Sequence, residues 1–463
     1  MKRSLIGTTA LAALVFSLCG ITIAQTASNK TKGTLAEPQA FTAGNFVVCR
    51  VGDGTIGLSA SAAPIFLDEY TLDGTLVSST PLPVARSGPN YGITVPGIER
   101  TQCQITRSYN KRYIIVPGYL TALGGTPHSD SNPRTIARVD RDKAINITTG
   151  IRGFGTNHIR SAASLDGTSF WAVGAVAGTI YTPIGTDESS VQISDQRYDS
   201  HVIHIFDGQI YTSSNTSTNL RMGKVGTGLP SGPTQTTTLL SGVENNITPN
   251  GFFFADLSSD VEGSDTLYIA DQNSPRGVRK YAFRIAAGTW VYLGTFPTSS
   301  NPSIPAAQFA GLAGSVAADG TVTLVATRSG TQLVKFVDAN GYNVAPTAVP
   351  VLLATAAPDT AFRGVAPAPV NVVPTAANVS IAGRISDRSG RGIPNVRITL
   401  GGPEMAEAKR ATSNAFGYYR IEDVPAGGTY FLSVSAKQFT FAEPVRVVSV
   451  NDTVTDADFV GDR

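Results

Sequence analysis

FRGVAPAP, residues 362–369, carries a short strand-forming run into a pair of prolines, with 94 residues still to come. FRGVA has the alternation of a strand, whereas Pro367 and Pro369 stop it and launch an extended connection, because proline has no amide to give a ladder. Whether this stretch ends one domain, begins the next or only joins them depends on what recurs upstream.

Its relatives recur at a somewhat irregular interval. RTQCQITRS (100–108), NHIRSAAS (157–164), SHVIHIF (200–206), NGFFFADL (250–257), FAGLAGSV (309–316) and FRGVAPAP each begin a strand rich in small residues, about fifty residues apart. Every interval holds about four strand candidates separated by Gly, Asp, Asn or Pro, the content of one propeller blade. The clearest is TLYIADQNSPRGVRKYAFRIAAGTWVYLGTFP (266–297), where LYIAD, VRKYAFRI and TWVYLGTF alternate in succession. Small residues suit an innermost strand, since wedge-shaped blades converge on an axis with little room. Turn signals recur as well: GDGT (52–55), TLDGT (71–75), SLDGT (164–168), FDGQ (206–209), AADGT (317–321) and DANG (338–341) read as tight hairpins.

The fold class expected is therefore all-β, a propeller of about six blades, seven if one is degenerate, followed by a small antiparallel sandwich. The stretch from Asn45 to Pro83 supplies three strands, NFVVCRVG, APIFLDEYTL and TLVSSTPLP. A three-stranded start and a single-stranded finish complement each other, so FRGVA is expected to be the innermost strand of a blade completed by the amino terminus. A series of β-sandwiches is the rival, but no Pro/Ser/Thr linker divides residues 45–360 at domain-sized intervals.

Charge excludes some partners. Lys plus Arg number 36 against 34 Asp plus Glu, scattered and netting +2, which steers the chain toward neither nucleic acid nor an anionic membrane. The amino terminus, MKRSLIGTTALAALVFSLCGITIA, has a basic start, an apolar core and small residues before a cut after Ala24, so residues 1–24 read as a signal peptide. Leu18 before Cys19 does not fit a lipid-modification site. Residues 25–44 read as a flexible segment. Removal of the leader takes Cys19 and leaves Cys49 and Cys103, as a disulfide or as two buried thiols.

After the linker at 370–378 the texture changes. IAGRI and NVRITL flank a Gly-rich turn, YYRIEDV ends in PAGG, and YFLSVSA alternates again, which predicts about seven strands over 379–463. Gly383, Asp387, Gly390, Pro394, Val396, Thr412, Gly417, Tyr419, Pro425, Gly427 and Tyr430 follow the pattern of the carboxypeptidase regulatory-like domain, which this region resembles. The resemblance implies a transthyretin-like sandwich, common on secreted and surface proteins and not itself an enzyme. In YIAD and GVRKY the upstream part is loosely similar to propeller modules of exported bacterial proteins.

The chemistry-bearing residues are few. Of His128, His158, His201 and His204, two stand at inner-strand starts, and His158 and His201 with Asp199, Asp256 and Asp271 form the candidate ligand site at the channel mouth. The same set is the candidate for calcium or another divalent metal, although no cofactor is required. Against this, a histidine at a strand start ordinarily bonds a backbone carbonyl or faces water. GDGTIG (52–57) lacks the helix of a phosphate cradle, and the neighbours Asp68 and Glu69, or Glu422 and Asp423, point to opposite faces. Arg276, Arg279, Lys280 and Arg284 make a basic stretch read as an outer blade strand with snorkelling cations. Glycosylation signals stand at Asn29, Asn146, Asn215, Asn246, Asn378 and Asn451.

These features describe an exported, monomeric surface or secreted protein, or a periplasmic one, without catalysis, its propeller loops presenting a site for a polysaccharide or a protein. The alternative is an extracellular hydrolase, lyase or lactonase using a channel-mouth metal with His158 or His201.

Overall fold

Phe46 pairs with Pro367, Val48 with Val365 and Arg50 with Phe362 in an antiparallel ladder that joins the two ends of the propeller sequence. These pairs come from a computed structural model that describes residues 39–175, 177–194, 199–215, 221–273, 277–297, 308–370, 378–402, 405 and 408–463. The expected leader with Cys19, Asn29, Arg276 and most of the 370–378 linker lie outside the described residues. In the closing blade Ala361–Pro367 is innermost, followed outward by Phe46–Val51, Ile65–Tyr70 and Leu76–Pro81. FRGVA completes a ring whose first strand would otherwise present an unpaired edge.

Five more four-stranded sheets follow in chain order, each running outward from its first strand, which makes six blades among the described residues. Their innermost strands are Thr106–Arg107, Ile159–Ala163, Ser200–Phe206, Pro249–Ala255 and Phe309–Val316. The second blade's inner strand is much shorter than RTQCQITRS suggests. Cys103 takes a φ of 52°, and its carbonyl and the Gln104 amide bond the neighbouring blades at Gly364 and Arg160 instead.

The repeated turns share a mechanism. At Asp73, Asp166 and Asp319 the Oδ1 atom accepts the amide of the threonine two residues on, at 3.2, 2.9 and 2.9 Å, which holds the turn from within. Asp207 and Gly208, with φ of 47° and 68°, form the two-residue hairpin between Phe206 and Gln209. Two turns differ from expectation. GDGT opens a long connection to Ile65 whose Ala62–Ala63 pairs with Val95–Pro96, and DANG leads into a broad loop because Asp338 is drawn into the core.

What draws it in is Lys280, which does not snorkel. Its Nζ lies 2.7 Å from Asp338 Oδ2 with both side chains fully buried, and it also donates to the Gly341 carbonyl at 2.6 Å. The Tyr268 hydroxyl donates to the same carboxylate at 2.8 Å, so the charge pair is bonded from three sides between the fifth and sixth blades.

The carboxy-terminal sandwich has eight strands, because Thr440–Phe441 adds a two-residue edge. One sheet runs Tyr418–Val424, Val379–Asp387, Phe459–Asp462, Thr440–Phe441, and the other Lys409–Thr412, Arg397–Gly401, Gly428–Ser435, Val445–Val450. All pairs are antiparallel except that of Val379–Asp387 with Phe459–Asp462. Gly383 is required by a close approach, since a Cβ there would stand 2.2 Å from the Ala457 carbonyl, which the buried Tyr419 hydroxyl also bonds. Phe431 and Val447 pack against a cluster of the third and fourth blades that includes Trp171, Ile205, Ile210 and Val225. These contacts lie where inner strands finish, here called the lower face, and inner strands begin at the upper face.

Candidate functional site

Among the described residues five of the six inner strands, all but Thr106–Arg107, carry one extra residue near their start. The register slips between Ile159 and Ser161, Ser200 and Ile203, Pro249 and Phe252, and Phe309 and Leu312, and in the closing blade opposite Val48 and Arg50. A bulge of this kind re-aims a side chain. The residues at these bulges are Arg160, His201, Asn250, Ala310 and Arg363, one in each of the five blades. The glycines beside them mark how tightly blades converge: a Cβ on Gly251 would stand 2.4 Å from Leu312 N, and one on Gly364 would stand 2.3 Å from Ile105 N.

Two ring residues bridge to the next blade. Arg160 Nη1 donates to the Ser200 carbonyl at 3.1 Å and to Asp199 Oδ1 at 2.5 Å, and His201 Nδ1 donates to the Pro249 carbonyl at 2.9 Å. His201 Nε2 lies 3.7 Å from Asp199 Oδ2. Burial pushes the His201 imidazole down, and Asp199 pulls it back only in part. For Asp199, burial opposes ionisation, but the His201 hydrogen bond and the Arg160 charge outweigh it and hold the carboxyl well below its ordinary range. His158 stands apart from this triad, its Nδ1 bonded to the Gln102 amide and its ring 3.9 Å from that of His128. Burial, then the Arg160 charge, lowers His158 to about 4.

The five residues singled out by sequence are thus not one site. Asp199 and His201 are in contact, and His158 belongs to a neighbouring pair. Asp271, fully buried, accepts the Thr248 amide at 3.0 Å and faces Arg279 Nε at 3.4 Å in the fifth blade. Asp256 follows the end of Pro249–Ala255 and is exposed at the lower face, a strand's length from the others. Alternation along a strand cannot say at which end of a blade a flanking residue falls until the strand's own limits are known. Among the described residues no group of three or more His, Cys, Asp or Glu side chains stands close enough to hold a metal ion.

An open, shallow recess of the upper face lies between the fourth and fifth blades, with a volume of about 450 Å³ and lined by Glu244, Asn245 and Asn246. Glu244 bonds Arg279 and accepts the Tyr281 hydroxyl at 3.1 Å, and the Arg279 guanidinium lies 4.6 Å over the half-exposed Tyr292 ring. Arg221 Nε donates to the Asn245 carbonyl at 2.7 Å and its Nη1 to Asn215 Oδ1 at 3.0 Å, so the rim is a continuous polar network. Sequence reading alone singles out neither the cleft nor Arg160, Asn250 and Arg363. Setting HIRS, SHVI, PNGF, FAGL and FRGV one above another isolates the second or third residue of each as a separate column, a signal that could have found the ring. The cleft has no such signal, because its residues come from loops.

Residues 380–460 match the carboxypeptidase regulatory-like domain. No curated protein sequence matches the chain. Among solved structures, the periplasmic gluconolactonase of Pseudomonas aeruginosa is 13% identical, with 90% of this chain and 99% of that one covered and a TM-score of 0.38. TolB from Acinetobacter baumannii is also 13% identical, with 69% and 67% covered and a TM-score of 0.37. Likeness at this level transfers no activity, and the ladder order is what shows the fold. The described residues form a six-bladed β-propeller followed by a C-terminal domain of the carboxypeptidase regulatory-like kind.

Proposed function

We propose that the chain is an exported binding protein whose upper face takes a hydroxyl-rich ligand, a polysaccharide segment, in the cleft between the fourth and fifth blades. The observation that carries this reading is the character of the cleft: a carboxylate and two amides line it, with a guanidinium and a tyrosine ring beside them. Such groups offer directional donors and acceptors together with a flat apolar surface, which suits sugar hydroxyls and ring faces. The sandwich packs on the lower face, which favours the upper one as the presenting surface. The Cys49–Cys103 disulfide supports an oxidising compartment, and so does the leader-like amino terminus. No helix among the described residues is long and apolar enough to cross a membrane.

The test is calorimetric titration of the mature protein with a panel of polysaccharides and soluble proteins, repeated with Glu244→Gln/Asn246→Ala. Saturable binding to a glycan that weakens about tenfold or more in the variant supports the reading, a tenfold change being about 1.4 kcal/mol. Binding only to a protein, or glycan binding that ignores the variant, sinks it. Turnover of a lactone panel that disappears in His158→Ala/His201→Ala would replace it with the hydrolase reading.

A further inference from the structure

Glu244 is a carboxylate gripped by one oxygen only. Its Oε2 is bonded by Arg279 Nη1 and accepts the Tyr281 hydroxyl at 3.1 Å, while Arg279 Nη1 also donates to that hydroxyl at 3.2 Å. Burial, opposed in part by the Arg279 charge, holds the Tyr281 phenol well above its ordinary range, so it stays a donor. Arg279 is braced from behind in turn, its Nε 3.4 Å from Asp271 Oδ2 with both side chains buried. These supports fix the direction of the Glu244 carboxylate before any ligand arrives. The second oxygen, Oε1, has no hydrogen-bond partner among the described residues and is open to solvent. Because Glu244 lines the recess of the upper face, Oε1 is a fixed and unused acceptor at its wall.

Charge decides what such an acceptor takes. Arg279 is one cation set against two carboxylates, Glu244 and Asp271, so this wall of the recess carries an unbalanced negative charge. The other guanidinium, Arg221, stands at the rim, where its Nε and Nη1 are occupied by the Asn245 carbonyl and Asn215 Oδ1. A ligand hydroxyl can donate to Glu244 Oε1, whereas a ligand carboxylate at the same place has no proton to give and meets a like charge. A repulsive element of this kind separates ligands of nearly the same shape. We propose, on the footing that the recess takes a glycan, that it selects glycans without acidic groups: Glu244 Oε1 accepts their hydroxyls and turns away the corresponding uronates.

Oligomers of cellulose, laminarin, starch and mannan are titrated into the mature protein in two forms, native and oxidised to the uronate at the primary hydroxyl. The native form of an oligomer that binds is expected to bind about tenfold or more tightly than its uronate, the size expected of like charges a few ångströms apart at a half-exposed site. In Glu244→Gln that preference should largely vanish. Molar salt should shrink it in wild type as well, because a screened charge repels less, and this second measurement keeps the test decisive where the variant does not fold. A uronate that binds as tightly as its native oligomer overturns the proposal and leaves the glycan reading standing, and so does a preference that survives both Glu244→Gln and molar salt. Binding of no oligomer in either form overturns both.

Discussion

Cys49, in the strand that receives FRGVAPAP, is bonded to Cys103, which leads into the inner strand of the next blade, with their Cα atoms 6.4 Å apart. The bond therefore cross-links the closing blade to its neighbour, beside the backbone hydrogen bond from Gly364 to the Cys103 carbonyl at 3.0 Å. Closure rests on a ladder between distant parts of the chain, and the disulfide limits how far the amino-terminal strands can stray before that ladder forms.

Replacing both cysteines by serine is expected to destabilise the propeller by about 4 kcal/mol, the loop-entropy value for a 54-residue separation. Scanning calorimetry of wild type, of wild type with reductant and of the double variant should show the last two melting together, several degrees low. An unchanged Tm on full reduction would show that the ladder alone holds the ring.

The Lys280–Asp338 pair makes a sharper prediction. Lys280→Met leaves a fully buried carboxylate with only the Tyr268 hydroxyl and the Asn340 amide bonded to it and no opposing charge, and should cost about 3–5 kcal/mol. Lys280→Met/Asp338→Leu removes both charges and should recover most of that loss, because a well-packed apolar pair replaces a buried ion pair at little net cost. Urea denaturation of wild type, Lys280→Met, Asp338→Leu and the double variant decides it. A double variant as weak as the sum of its singles would mean that the charges act independently.

Stability should fall on acidification from neutral pH toward about 4. Burial lowers His128 and His158 to about 4 from an ordinary 6.5, so across that interval the unfolded chain binds protons that the folded chain refuses. Their contribution is complete above the unfolded value and is lost as pH falls toward the folded one. Protonation would also set two cations against each other in rings whose centres are 3.9 Å apart. A plot of Tm against pH should therefore slope upward from 4 to 7, and His128→Phe should flatten part of it. A flat profile in wild type would show that neither imidazole is held neutral.

The parts of this protein written in local pattern are legible in the amino-acid sequence. Strand alternation, Asp-Gly turns and the recurrence of small-residue strands specify hairpins and their number, since each depends on a few adjacent residues. The carboxy-terminal sandwich is legible for the same reason: Gly383, Tyr419 and Tyr430 each answer a local steric or hydrogen-bonding demand, Tyr430 by donating to the Pro425 carbonyl at 2.6 Å. The burial of Lys280 is not legible, because alternation assigns a residue to a face but not to a partner, and Asp338 lies 58 residues away in the next blade.

FRGVAPAP shows both sides. Its sequence determined that a strand ends there and an extended connection leaves, because Pro367 and Pro369 give the ladder no amide. That Arg363 in its middle is a buried cation bonded to the Gly97 carbonyl was decided by the tertiary structure, because a bulge's position and a blade's neighbours arise only when six sheets share one axis.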